Sequence, residues 1–174
     1  MLIDIAKQQL RKAGWYEGRK IDLSKYEEAY AEVGCKLFPA ARKFLEEYGD
    51  LDIQDKYIST ATHENGDHFI VINRSLIDVA YCCYPRDLEL EKMVDELFHQ
   101  KILRVGAIDH GNIDIYISED GRFFVNWYFD GLWAENSDQL WNEYYGEDYG
   151  WELWDDVKAG KARTMRKKPI EKYL

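Results

Sequence analysis

Five short strand patterns fill the middle of the chain, at 57–62, 68–73, 104–108, 113–118 and 122–128. This series limits the fold more than any other feature. Glu64-Asn65-Gly66-Asp67 separates the first two, and Asn-Gly accepts positive φ at both residues, so a hairpin is predicted there. His110-Gly111-Asn112 and Glu119-Asp120-Gly121 give turn chemistry between the later three. Ile113, Ile115 and Ile117 alternate with polar or aromatic residues, the pattern of a strand with one buried face.

Helical patterns flank this middle. Leu2, Ile5, Ala6, Gln9 and Leu10 recur at helical spacing before a stop at Gly14. Ser24 with Glu27 three residues on predicts a capping box, opening a helix with Tyr26, Ala29, Tyr30 and Val33 on one face. Pro39 suits the first turn of another, which stops at Gly49. A fourth helix is predicted over 88–100 and a fifth over 137–145, capped by Ser137 and closed by Gly146. The predicted class is therefore α+β: a mostly antiparallel sheet of about five or six strands flanked by helices. At 174 residues the chain has the size of one domain, read as 1–157 with a basic tail at 158–174.

Charge is placed as unevenly as the aromatics. Residues 123–157 carry twelve of the 26 aromatic side chains and nine acids, with no Lys or Arg, whereas 158–174 carry seven bases against Glu171. The net charge of −10 disfavours nucleic acid as a partner and favours attraction to a basic protein. Phe69-Ile70-Val71-Ile72, among the longest apolar runs, is far short of the roughly 20 residues a membrane span needs. Three cysteines, Cys35, Cys82 and Cys83, do not make a disulfide framework. Together with an N-terminus that lacks a basic start and an apolar signal core, they give the expectation of a cytoplasmic protein.

Motifs for chemistry are missing. No phosphate-binding glycine loop occurs. His63-Glu64 followed by His68 exceeds the metalloprotease spacing by one residue and lies across a turn, so no metal and no other cofactor is predicted. There is no G-x-S-x-G elbow. Asp130 and Glu135 could be a hydrolytic carboxylate pair, but a solvated acidic face explains them better. No catalytic residue is assigned, and the expected role is not enzymatic. Tyr and Trp interleaved with acids suit recognition of a basic partner. The candidate contact residues are Asp130, Trp133, Glu135, Trp141, Glu143, Glu147, Asp148, Trp151, Trp154 and Asp155.

Several blocks also resemble a known family. Leu10-Arg11-Lys12-Ala13-Gly14-Trp15-Tyr16-Glu17-Gly18-Arg19 is similar to the opening of the third group of the SUKH superfamily, a helix end, then Gly-Trp, then a turn closed by Gly-Arg. The stretch from Phe38-Pro39 through Phe44-Leu45 to Tyr48-Gly49-Asp50-Leu51 resembles its next block. Val105-Gly106, Ile113 to Ile117 and Asp120-Gly121-Arg122-Phe123-Phe124 are similar to its closing strands.

The resemblance implies a SUKH-like (Smi1/Knr4-type) α+β domain that acts as a bacterial immunity protein. It would bind and neutralise a cognate polymorphic toxin, a nuclease or deaminase, as a monomer or weak dimer. Gly14, Trp15, Arg19 and Gly49 would then be structural, Trp15 as core and Arg19 in an ion pair near the sheet. Two other readings stay open at this level: a regulatory scaffold of the same fold, and a carboxylate-dependent hydrolase. The basic tail either folds back on the acidic window or stays free.

Overall fold

The computed structural model describes residues 1–83, 86–126, 130–146 and 152–153. Three helices come first, α1 (Asp4–Lys12), α2 (Ser24–Glu32) and α3 (Pro39–Tyr48), followed by the long hairpin β1 (Leu51–Thr62) and β2 (His68–Ile77). The short α4 (Val79–Cys82) and α5 (Leu88–Phe98) lead into β3 (Ile102–Ile108), β4 (Ile113–Ser118), β5 (Phe123–Asn126) and β6 (Asp130–Ala134). Helix α6 (Ser137–Tyr145) and a two-residue β7 (Glu152–Leu153) complete the order. All seven strands form one sheet in sequence order, each antiparallel to its neighbour.

Strand alternation sorts the side chains into two layers. Leu103, Val105, Ile113, Ile115, Ile117, Phe123, Val125 and Trp133 are buried against residues of α1, α2, α3 and α6. Ile102, Tyr116, Phe124 and Leu132 meet Leu90, Met93, Val94, Leu97 and Phe98 of α5 on the opposite face. The α+β class with an antiparallel sheet is as predicted, with β6 and β7 added to the five strands located in the sequence.

Several local expectations are corrected. β1 starts at Leu51 and β2 runs on to Ile77, because Leu51, Ile53 and Ile77 extend the buried row beyond the predicted ends. Asp55, only 2% exposed, interrupts that row, and its neighbours Asn73 and Ser75 donate to the Tyr144 hydroxyl at 2.9 and 3.2 Å. The Ser24–Glu27 capping box does not form. Both the N–H and the hydroxyl of Ser24 donate to Asp22 Oδ1, which starts the turn instead. At α6 the side chain accepting from the Gln139 N–H is Asn136 rather than Ser137. In the first hairpin turn only Gly66 takes positive φ, at 87°.

Candidate partner-binding surface

The acidic aromatic window divides once folded. Strand β6 turns Trp133 inward, 3% exposed, against Tyr144, and helix α6 turns Trp141 inward, 0% exposed, against Tyr48 and Tyr145. Both belong to the core, and this corrects their assignment as surface anchors. Interleaving with acids made them conspicuous, but the strand and the helix that carry them turn both rings into the core. Glu135 is exposed at the end of β6, and Glu143 is half-buried on α6. Asp130 is the first residue of β6. Glu147, Asp148, Trp151, Trp154 and Asp155 lie outside the described residues.

Glu135 is not isolated. A groove of about 260 Å³ runs between α3 and the turn from β6 to α6, floored by Phe44, Ile117 and Phe123. Its charged lining is Glu47 from α3, Asp120 from the β4–β5 turn, Glu135, and a single cation, Lys43. Glu47 and Asp120 were not singled out from the sequence, because helix and turn bring them in from far along the chain. Asp120 was read there only within a turn and within a block of the family resemblance.

These carboxylates differ in how far they are compensated. Partial burial raises the Asp120 carboxyl, but hydrogen bonds from Arg122 and Ser118 outweigh this and hold it below the usual range. Its charge is spent on Arg122, at 2.6 Å. Glu135 makes no ion pair among the described residues, and its backbone N–H donates to Gln139 Oε1 at 3.0 Å. Glu47 Oε1 accepts the indole N–H of Trp15 at 3.2 Å, and Glu47 makes no ion pair among the described residues. Burial raises the Glu143 carboxyl, and the hydrogen bond from Gln139 only partly opposes it.

Two of the residues read as structural, Trp15 and Arg19, hold Glu47, which lines this groove. Trp15 is buried and stacks on Tyr48, with ring centroids 6.4 Å apart. Among the described residues Arg19 makes no ion pair near the sheet, a second correction. Its Nη1 donates to the Glu47 C=O at 2.8 Å, where the end of α3 leaves carbonyls without helical partners. Gly14 turns the chain at φ 99°, while Gly49 is needed for space: a Cβ there would lie 2.5 Å from the Leu45 carbonyl oxygen. The Gly-Trp and Gly-Arg steps thus fix the loop after α1 onto the last turn of α3.

A comparison with family models matches residues 4–145 to the SUKH-3 immunity protein family. The chain belongs to that family. The match spans α1 to the end of α6, so it includes the groove and the loop that supports it. No curated protein and no solved structure matches the chain. Among the described residues no group of three His, Cys, Asp or Glu side chains is arranged to hold a metal ion. No described helix is long and apolar enough to cross a membrane. Burial raises the Cys83 thiol to about 11 and the Cys82 thiol further, so both are protonated at neutral pH.

Proposed function

We propose that this member of the immunity family neutralises a basic toxin, a nuclease or nucleic-acid deaminase, by stoichiometric non-covalent binding. The observation that carries the reading is the groove beside Glu135. There Glu47 and Glu135, neither in an ion pair among the described residues, bring negative charge onto an apolar floor that carries one cation, Lys43. A Lys or Arg of the partner entering this groove meets two carboxylates, and the field of a −10 chain draws it there. The proposed contact residues are Glu47, Glu135 and Glu143, together with Asp130, Glu147, Asp148, Trp151, Trp154 and Asp155 from the sequence. Toxin action stops because the occupied surface of the toxin no longer reaches its nucleic acid.

Affinity capture of the tagged chain from its native host, with mass spectrometry of what is retained, tests this. The expected product is one secreted protein with a basic C-terminal domain, held at one copy per chain. Retention of housekeeping proteins alone would favour the scaffold reading instead.

A further inference from the structure

The chain's three cysteines gather where the ends of α2 and α4 meet. Past α2 the chain turns at Gly34, with φ 72°, and the Cys35 N–H donates back to the Tyr30 C=O at 2.8 Å. Cys83 ends α4, its N–H donating to the Val79 C=O at 3.2 Å. Cys82, one residue earlier, is 2% exposed. It shares with Cys35, Tyr30 and Arg104 the lining of a small cavity of about 20 Å³.

The two neighbours on α4 face different groups, since consecutive side chains on a helical turn point about 100° apart. Cys82 turns inward to Tyr30. Cys83 stays partly exposed, and the groups that act on its thiol are the Cys35 sulfur and the Glu32 carboxylate. Cys35 is partly exposed too, and both pack against the main core from its margin. Cys35 also lines a wide groove of about 920 Å³, through which a small reagent in solution reaches it. One wall of that groove is 34–38, and Arg86, Leu88 and Glu91 stand on the other.

We propose that Cys35 and Cys83 are a redox pair that closes into a disulfide when the chain meets a hydroperoxide. The Cys35 sulfur attacks the peroxide oxygen, the O–O bond breaks, and Cys35 becomes a sulfenic acid as water or an alcohol leaves. The Cys83 sulfur then attacks the Cys35 sulfur, and the expelled hydroxide leaves as water with the proton that Cys83 gives up. Two thiols are oxidised and one hydroperoxide is reduced. Cys82 is the wrong partner for Cys83, because adjacent Cα atoms lie about 3.8 Å apart, short of the usual disulfide span. Burial raises the Cys83 thiol to about 11, so it rests protonated and takes the second step. The bond ties the 34–38 wall to the end of α4, and so to the chain that enters the opposite wall at Arg86. The inference does not depend on the immunity reading.

The test treats the reduced full chain with dilute hydrogen peroxide and reads intact mass, alkylation of the remaining thiols and the melting midpoint. One internal disulfide is expected, seen as the loss of two hydrogen atoms, reversed by dithiothreitol, with no change in hydrodynamic size. Tandem mass spectrometry that breaks the backbone between Cys82 and Cys83 should find Cys82 alone open to alkylation. The oxidised chain should melt about 5 °C or more above the reduced one, because the cross-link restricts the unfolded chain. Cys35→Ser and Cys83→Ser, both at partly exposed positions, should each abolish the bond and the shift, whereas Cys82→Ala should keep both. The proposal is overturned if no internal bond forms, if the bond uses Cys82, if it joins two chains, or if closing it fails to raise the melting midpoint.

Discussion

Trp15 donates its indole N–H to the Glu47 carboxylate at 3.2 Å, and Arg19, in the same loop, donates to the Glu47 carbonyl at 2.8 Å. One residue at the end of α3 is thus held at both its side chain and its backbone by the loop that follows α1. The carboxylate so held lines the acidic groove, which ties a fold-determining motif to the proposed contact surface.

Trp15→Phe removes the hydrogen bond and keeps most of the ring, so it should cost about 1 kcal/mol in a urea unfolding curve. Trp15→Ala also removes the packing on Tyr48 and should cost about 3–5 kcal/mol. Equal losses in the two variants would deny the hydrogen bond any share.

Glu135→Lys should leave the fold intact, since Glu135 is exposed and its carboxylate makes no ion pair among the described residues. Against the basic toxin it should slow association about tenfold at low salt and reduce the salt dependence, with a smaller effect on dissociation. Stopped-flow mixing over a range of ionic strength reads both rates. An effect confined to dissociation would contradict steering.

Burial raises the folded-state pKa of Glu143 above its unfolded value, so the unfolded chain gives up this proton at lower pH than the folded one. The folded state then binds more protons, and this group's contribution to stability falls as pH rises from the unfolded pKa through the folded one. Glu143→Gln removes that loss while Gln139 still finds an acceptor. The variant should be more stable at pH 7, by up to about 0.5 kcal/mol given the partial exposure, and equal to the parent below about pH 4. Thermal melts at the two pH values decide it.

Arg104 and Asp114 form an ion pair between β3 and β4 in which the arginine side chain is only 9% exposed. Burial raises the Asp114 carboxyl even though Arg104 opposes it. Arg104→Met should cost about 3 kcal/mol at pH 7, because it leaves a partly buried carboxylate uncompensated. The loss should shrink as Asp114 is protonated on acidification, and denaturant melts at neutral and acid pH show whether it does.

What the sequence disclosed depended on how local the signal was. The alternating isoleucines at 113, 115 and 117 bound β4 correctly, since a half-buried strand writes its period directly into the chain. β6 was not predicted: Asp130 and Gly131 have poor strand propensity, and the pairing with β5 holds them there. The front half of β1 was obscured by Asp52, Gln54 and Asp55, of which the first is paired across the sheet with Arg74. At the candidate site Glu135 was legible from local charge, but Glu47 and Asp120 reach it only through tertiary structure. Trp133 and Trp141 were misread because an aromatic next to acids looks alike in sequence whether it faces the core or the solvent.

The most direct test is growth of cells expressing the captured toxin domain together with this chain. Wild type is predicted to restore growth in proportion to its amount, up to one copy per toxin. The Glu47→Lys, Glu135→Lys double variant, folded by its melting curve, is predicted to restore little. Full rescue by the double variant would remove the acidic groove from the account, and no rescue by the wild type would contradict neutralisation itself.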